Sequence, residues 1–313
     1  MAGPLTAERG RDPADGRADV KQRAAALSVA SNSLLIVLKF VAGIVTGSVA
    51  LLAEAMQSVI DLVASVVAYV SVRKADEPAD ENHPYGHEKI ENLAAAIEGV
   101  LILVGSGIIA FEAVRRLVDG GEVERLGFGI VIIALTIVVN LAVSYVLHRR
   151  ARETGSPALE GDAAHLRTDA LTSVGVLVGL VLVQITDAAW LDPVVALLVA
   201  AAIVATGVRL VLRSGRVLVD EALPSEELDV IREAVVSFGP RGVVGFHKLR
   251  ARRAGARRLV DLHVQFRSGT TLEEAHATAH ELQDDIRARL GEVDVLIHIE
   301  PAASVVPGTE IVP

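Results

Sequence analysis

The sequence predicts a polytopic α-helical membrane protein, in which six transmembrane helices precede a C-terminal cytoplasmic α+β domain. Of the 313 residues, 51% are hydrophobic and only 3% are aromatic, a composition too apolar for an ordinary soluble enzyme. Most Ala, Val, Leu and Ile residues are gathered into blocks of about 20, the length that spans a bilayer as a helix. After Arg216 these blocks give way to short amphipathic runs, which indicates a soluble domain.

The first predicted segment, residues 1–23, is polar and of mixed charge. We therefore expect a disordered cytoplasmic tail here and not a secretory signal. Residues 24–216 form the predicted transmembrane domain. Its six apolar segments can each cross about 30 Å of hydrocarbon, and they cover residues 24–45, 49–72, 90–117, 126–147, 158–185 and 193–212.

The basic residues define the orientation, because Lys and Arg accumulate in cytoplasmic loops. On the opposite side of the predicted helices, Arg125 is the only basic residue of the loops. Both termini are therefore expected in the cytoplasm, with the chain crossing the inner or plasma membrane several times. The basic residues of the cytoplasmic side are Lys21, Arg23, Arg73, Lys74, Lys89, Arg149, Arg150, Arg152, Arg209, Arg213 and Arg216.

Residues 217–313 form the predicted cytoplasmic domain, with the order α-β-β-α-β. Ser225 with acidic residues after it predicts the N-cap of a helix that ends at Gly239-Pro240. Two strands over 243–252 and 257–266, a helix over 270–290 and a strand over 293–299 follow. This order favours a small sheet with helices on one face.

Charge and cysteine content exclude other classes. The chain has 30 basic and 39 acidic residues, and it has no basic stripe interleaved with aromatics, so nucleic acid is not an expected partner. It contains no cysteine, which excludes disulfides, thiolate zinc sites and cysteine nucleophiles. A transition metal would have to be held by Asp, Glu or the nine histidines.

Ionisable residues inside the predicted spans are the first candidate site, because an unpaired charge there costs several kcal/mol. Glu54, Gln57 and Asp61 share one face of the second helix, and His165 and Asp169 share one face of the fifth. Asp61 lies about 18 Å and Asp169 about 16 Å from the cytoplasmic ends, so the two helices can meet at one depth. Four of these side chains supply N and O ligands for a tetrahedral divalent site: Gln57, Asp61, His165 and Asp169.

The alternative interpretation is a set of interhelical hydrogen bonds in a structural bundle. Two pairs at matching depth favour the metal site over that alternative. We assign Asn32, Lys39 and Asn140 to helix packing and leave Glu98 and Glu112 unassigned.

Two further clusters of His and carboxylate residues lie outside the spans. Asp80, His83 and His87 surround a Gly turn in the loop after the second helix. In the cytoplasmic domain, strand alternation puts His263 and His298 on the face opposite the apolar core. A carboxylate-bridged two-metal site is expected there, with the ligands His247, His263, His276, His298 and Glu300.

In this order, these motifs resemble the cation diffusion facilitator family of divalent metal transporters. The resemblance covers nearly all of the chain after residue 24. Its motifs are Glu54-Ala-Met-Gln-Ser-Val-Ile-Asp61, Asn82-His-Pro-Tyr-Gly-His-Glu-Lys-Ile-Glu91, His165-x-x-x-Asp169 and His298-Ile-Glu-Pro301.

The resemblance implies a homodimeric antiporter that exchanges a divalent metal for protons, with a metallochaperone-like cytoplasmic domain. It implies a transport site at Gln57, Asp61, His165 and Asp169, a loop site, and a regulatory two-metal site at the dimer interface. Zn²⁺ is the favoured substrate and regulatory ligand, with Fe²⁺, Co²⁺, Ni²⁺, Mn²⁺ and Cd²⁺ as alternatives. Gln57 departs from the Asp or His usual in zinc transporters of the family, and an amide is a poor zinc ligand.

Two other functions fit the sequence less well. A membrane-anchored metal sensor needs no matched polar pairs at mid-membrane. An intramembrane metallohydrolase needs a general base beside a three-ligand metal, and the sequence has no His-Glu-x-x-His motif. We therefore expect a transporter and not an enzyme, in contact with membrane lipid, divalent metal and protons.

Overall fold

The structure is a computed structural model of the chain and describes residues 13–46, 49–119, 129–186, 188, 190–302 and 308–312. The chain divides into two compact units, residues 1–215 and 216–313, which are described separately. The first unit is built from six long helices. They are α1 (Pro13–Thr46), α2 (Val49–Ala75), α3 (Lys89–Asp119), α4 (Gly129–Thr154), α5 (Pro157–Thr186) and α6 (Leu191–Leu218).

Five of the helices contain a predicted span in full, and α4 contains residues 129–147 of the fourth span, whose residues 126–128 lie outside the described part. The polytopic helical fold is therefore confirmed. Within the described residues, parts of α1, α3, α4 and α6 are long and apolar enough to cross a membrane. Helices suit this sequence because a bilayer offers no water, so backbone polar groups must pair within the segment. Large apolar side chains such as Leu34, Ile108 and Phe111 point outward, with 65–71% of their surface exposed.

The start of α1 differs from the sequence-based expectation. Residues 13–23, assigned to a disordered tail, are helical, while residues 1–12 lie outside the described part. Lys21 explains the added turns, because its ammonium pairs with Asp76 and, at 2.9 Å, with Glu91. These ion pairs connect the N-terminal part of α1 to the residue that follows α2 and to the start of α3.

Small residues let the helices approach closely on their inner faces. Gly99 of α3 faces α6, where a Cβ added to it would lie 2.7 Å from Val211 Cγ2. Gly207 of α6 also has little space, since a Cβ added to it would lie 3.1 Å from the Gly99 carbonyl oxygen. Larger side chains at either position would push α3 and α6 apart.

The second unit has the predicted α-β-β-α-β order. Its elements are α7 (Ser225–Ser237), a 3-10 turn (Gly239–Arg241), β1 (Val243–Ala254), β2 (Arg257–Phe266), α8 (Leu272–Leu290), β3 (Val293–Pro301) and a short β4 (Glu310–Ile311). The sheet order is β3-β2-β1-β4. Strands β1 and β2 are antiparallel, whereas β2 and β3 are parallel and are connected through α8.

Helix ends follow local chemistry, with one correction. Ser225 is the first residue of α7 and not its N-cap, since Pro224 takes the cap position without a side-chain bond. Thr271 caps α8 through a reciprocal pair of hydrogen bonds with Glu274, which satisfies two N–H groups at the helix start.

The core of the second unit lies between the sheet and its two helices. Leu262 and Val264 of β2 pack with Ile231 of α7 and with Leu282 and Ile286 of α8, each at most 1% exposed. Both helices therefore cover the apolar face of the sheet. The side chains at the alternate positions of β2 and β3 lie on the opposite face of the sheet, as the strand pattern predicted.

Candidate metal centres

The first centre lies inside the helical unit, where α2 and α5 bring Asp61, His165 and Asp169 together. One ligand atom from each lies within 4.8 Å of the other two. His165 Nε2 is 3.5 Å from Asp61 Oδ1 and 3.8 Å from Asp169 Oδ2. The fourth predicted ligand, Gln57, belongs to α2, but its side chain lies outside the described residues.

Burial and spacing make this group suited to a cation. Asp61 is 7% and His165 is 5% exposed, so water supplies little of their solvation. The separations of 3.5 and 3.8 Å from His165 Nε2 are at or beyond the length of a good hydrogen bond. Three atoms with lone pairs thus converge without pairing tightly, and a divalent ion bound by N and O ligands fits that arrangement. Their role as ligands stays a prediction.

A cavity of about 290 Å³ adjoins these three residues. At about 30 Å³ per water, this is room for a cation with several waters. Most of the polar side chains at its wall are neutral, and the exceptions are the three candidate ligands and Lys39. The neutral polar groups at the wall are Asn32, Ser58, Ser106, Thr136, Asn140, Thr168, Thr172 and Ser173.

Lys39 lies at this cavity wall although the sequence suggested only a packing role. It is 5% exposed, and its ammonium donates to Ser58 Oγ at 2.8 Å. Sequence periodicity could have indicated the position, because Lys39 follows Asn32 by seven residues and shares its helix face. Asn32 donates to Ser65 Oγ at 2.7 Å, in line with its expected packing role.

The second centre is the loop between α2 and α3, where Asp80, His83 and His87 again bring ligand atoms within 4.8 Å. Asp80 Oδ1 is 3.1 Å from His83 Nδ1, and Asp80 Oδ2 is 3.3 Å from His87 Nε2. The buried ring of His87 donates from Nδ1 to the Glu77 carbonyl at 3.4 Å. When the ring is neutral and makes this bond, its lone pair lies on Nε2, which faces Asp80.

Asp80 also has a structural task. Its Oδ1 accepts hydrogen bonds from the backbone N–H groups of His83 and Asn82, at 2.6 and 2.9 Å. The bond from His83 N–H holds the pKa of this exposed carboxyl below its usual range. The turn is therefore formed by the protein alone, whether or not a metal binds.

The third centre lies on the open face of the sheet in the second unit. Strand register places His247 of β1, His263 of β2 and His298 of β3 in one row. Glu300 follows two residues after His298 on the same face. It accepts from His263 Nδ1 at 2.6 Å and from His247 Nε2 at 2.9 Å, while His298 Nε2 is 3.6 Å away.

The carboxylate of Glu300 is the anion of this row. The hydrogen bond from His263, followed by that from His247, lowers the pKa of Glu300 to about 2. His247, His263 and Glu300 have ligand atoms within 4.8 Å of one another. The His298 side chain stands beside them with 62% of its surface exposed.

His276, the fifth predicted ligand, is not in this group within the described chain. It lies on α8, the helix that packs on the opposite face of the sheet. Its Nε2 is instead 3.2 Å from Nε2 of His280, one helical turn away. The spacing of four residues could have indicated this pair.

The pattern of the cation efflux transmembrane domain matches residues 25–219, and that of the cytoplasmic domain of cation efflux proteins matches residues 223–302. An uncharacterized transporter of Synechocystis is 33% identical over 277 residues, which are 88% of this chain and 89% of that protein.

Two named relatives agree. Metal tolerance protein C1 of Arabidopsis thaliana is 35% identical over 284 residues, covering 86% of this chain and 60% of that protein. The cation-efflux pump FieF of Shewanella oneidensis is 32% identical over 274 residues, covering 88% of this chain and 92% of that protein.

The six long helices and the α+β domain, together with the two matched cation efflux domains, place the chain among multi-pass membrane transport proteins. The chain belongs to the cation diffusion facilitator, or cation efflux, family. That family consists of transporters and not of enzymes.

Proposed function

We propose that the chain exports a divalent transition-metal cation from the cytoplasm in exchange for protons. The names of its relatives, a cation-efflux pump and a metal tolerance protein, support metal export. We further propose that it is a homodimer in the inner or plasma membrane. Both termini would be cytoplasmic, since the basic residues of the loops favour that orientation.

The observation that carries this proposal is that ligand atoms of Asp61, His165 and Asp169 lie close together inside the helical unit. Ionisable groups inside membrane helices are costly and mark ion pathways. Two carboxylates balance the charge of a divalent cation, and a neutral imidazole adds a third ligand. Gln57 or water would complete four-coordination.

Proton exchange follows from the same lone pairs. A metal can bind His165 only when its coordinating nitrogen carries no proton, and it competes with protons for the carboxylates. Metal entering from the cytoplasm would displace these protons. Rocking of the helices would expose the site to the other side, where protons replace the metal.

The ligand types limit the metal. One imidazole with two carboxylates suits Zn²⁺, Fe²⁺, Co²⁺, Ni²⁺, Mn²⁺ or Cd²⁺. Zn²⁺ remains our first choice because its usual ligands include His and Asp. An amide at Gln57 would lower the negative charge of the site and thereby weaken the preference for Zn²⁺.

We propose that residues 24–216 carry out transport and that residues 217–313 regulate it through metal binding and dimerisation. The row of His247, His263 and Glu300 supports metal binding there. Leu296, which is 68% exposed, shares the open sheet face with His298. An apolar side chain beside a metal row is suited to contact a second copy of the domain.

The test is Zn²⁺ uptake into proteoliposomes that contain the full chain and a trapped Zn²⁺ dye, with and without an acidic interior. Uptake driven by the pH gradient supports the proposal. The matched control is Glu112→Gln, because Glu112 lies on α3 and pairs with two exposed arginines of the same helix, Arg115 and Arg116. Zn²⁺ binding without uptake would instead indicate the membrane-anchored sensor.

A further inference from the structure

Two buried carboxylates beside the α2/α5 centre have no part in it. Glu98 of α3 and Asp162 of α5 are both 0% exposed. Asp162 lies three residues before His165, and Glu98 comes from the helix packed against α5. Carboxylates buried to this degree need a partner or a proton.

The two groups differ in their partners. Asp162 Oδ1 accepts from Ser65 Oγ at 3.0 Å, and Asn32 donates to the same Ser65 hydroxyl at 2.7 Å. Among the groups that the structure describes, neither oxygen of Glu98 has a hydrogen-bond partner. Asp162 is thus partly solvated by hydroxyl groups, whereas Glu98 is not.

Gly161 provides the space that Glu98 occupies. A Cβ added to Gly161 would lie only 2.1 Å from Glu98 Oε2, so the carboxyl group rests directly against the backbone of α5. Gly161 is one helical turn before His165 and shares its face. The carboxyl group of Glu98 is therefore directed toward the part of α5 that carries the candidate ligands.

Glu98 has one group that can become cationic among the described groups around it, and this group, His165, is already flanked by Asp61 and Asp169. From α5 it faces Asp162 and His165, with which it interacts electrostatically. From α1 and α2 the nearby polar groups are the neutral Ser28, Asn32 and Ser65 network around Asp162. The α6 side is apolar, with Ile203 and Leu210 packed on neighbouring residues of α3.

We infer that Glu98 and Asp162 form a second proton-binding site of the transport unit, which holds one proton on Glu98 when no metal is bound. Two ionised carboxylates in this low-dielectric interior would repel each other, and both would lose their hydration. One proton on a carboxyl oxygen of Glu98 removes the repulsion and the desolvation penalty of Glu98, while the hydroxyl group of Ser65 stabilises the remaining anion on Asp162. Carboxylate pairs that share a site behave in this way.

Coupling to metal follows from position and rests on the proposed proton exchange. A divalent cation bound at His165 places positive charge near Glu98, which favours the ionised carboxylate. The O–H bond of Glu98 then breaks, its electron pair stays on the carboxylate, and the proton leaves to solution. Release of the metal reverses the step.

The experiment counts protons released per Zn²⁺ bound by the full-length protein in weakly buffered solution. Glu98→Gln keeps the shape of the protonated side chain but has no proton to release. We expect this variant to release up to one proton fewer per Zn²⁺ at the transport site, with Zn²⁺ stoichiometry unchanged. The Kd for Zn²⁺ should also depend less on pH in this variant. For each pH unit, the factor by which its Kd changes should be up to about ten times smaller than in the wild type. Glu112→Gln should behave as the wild type.

Each outcome decides one question. A Glu98→Gln protein that releases as many protons as the wild type, with the same pH dependence, overturns the second site. A wild type that releases no more protons than Asp61→Asn overturns proton exchange itself. Infrared difference spectra add a test without substitution at Glu98: the C=O band of a protonated carboxylic acid should disappear when Zn²⁺ is added, and its absence from the metal-free wild type also overturns the inference.

Discussion

The α2/α5 centre and the open-face centre of the second unit bring together the same kinds of side chain but hold them differently. In the membrane helices, His165 Nε2 stays 3.5 and 3.8 Å from its two carboxylates. On the sheet, Glu300 accepts hydrogen bonds of 2.6 and 2.9 Å from His263 and His247. A loosely held group suits an ion that must leave, whereas a preorganised group suits an ion that stays.

The largest expected effect is at the membrane centre. Asp61→Asn or Asp169→Asn removes an anionic ligand at similar volume, so Zn²⁺ transport should fall by about 100-fold or more, given that even outer partners of metal ligands cost 10–100-fold. Uptake into proteoliposomes, normalised to inserted protein, measures this.

Glu112→Gln is the control and should transport at the wild-type rate. An Asp61→Asn protein that is correctly inserted and transports like the wild type would remove Asp61 from the site.

The second effect separates the two centres by pH. Because the pKa of Glu300 is lowered to about 2, its carboxylate stays ionised across the working range. The loss of Zn²⁺ affinity on acidification should therefore come from the histidines, because a ring nitrogen that has gained a proton cannot bind a metal. With two histidine ligands, His247 and His263, the affinity for Zn²⁺ should fall by up to about 100-fold per pH unit, which is tenfold for each competing proton.

Calorimetry on the Asp61→Asn protein, whose transport site is disabled, measures this fall. A flat profile down to pH 5.5 would exclude histidine ligands. Folding stability should depend on pH in the direction expected for a carboxyl group with a lowered pKa. Glu300 stabilises the fold above about pH 4.5, and this stabilisation is lost as the pH falls toward 2.

The third prediction ranks residues within the sheet row. His263→Ala should weaken Zn²⁺ binding by about 10–100-fold, since His263 contacts Glu300 at 2.6 Å. His298→Ala should cost less, because His298 is 62% exposed and 3.6 Å from Glu300. Calorimetry in the Asp61→Asn background measures both, and circular dichroism checks that the fold is intact. The reverse ranking would place the metal at the solvent side of the row.

The fourth prediction concerns metal choice. Gln57→Asp adds a third carboxylate near the transport site, so Zn²⁺ should bind about tenfold tighter and leave more slowly on the far side. Competition among Zn²⁺, Fe²⁺ and Mn²⁺ in the uptake assay measures the order of preference. An unchanged order would make Gln57 a packing residue, with water completing the site.

The two units also differ in how far sequence alone reaches. Helical and strand periodicity gave the six spans, the α-β-β-α-β order and the face on which His263 and His298 lie, because each depends only on local spacing. The row with His247 depends on a register shift between His247 and Arg250, where Lys248 has φ of 49°. No spacing rule predicts such a bulge.

Rotation of one helix against another is equally hidden from sequence. Matching depths suggested that Asp61 and Asp169 could meet, but the placement of Glu98 against Gly161 depends on how α3 and α5 are turned. The pairing of His276 with His280 instead of with the sheet row depends on α8 covering the other face. Residue spacing within one element is visible in sequence, whereas packing between elements is not.

The smallest expected effect on transport is at the loop centre of Asp80, His83 and His87. Asp80 already has partners in the backbone of its own turn, and His83 is 58% exposed. His83→Ala should therefore change Zn²⁺ transport by only about twofold, the range of surface substitutions near 0.5 kcal/mol. His87→Ala should cost more, because His87 is 1% exposed and donates to the Glu77 carbonyl. Equal and large losses for both variants in the uptake assay would show instead that a metal at the loop is required for transport.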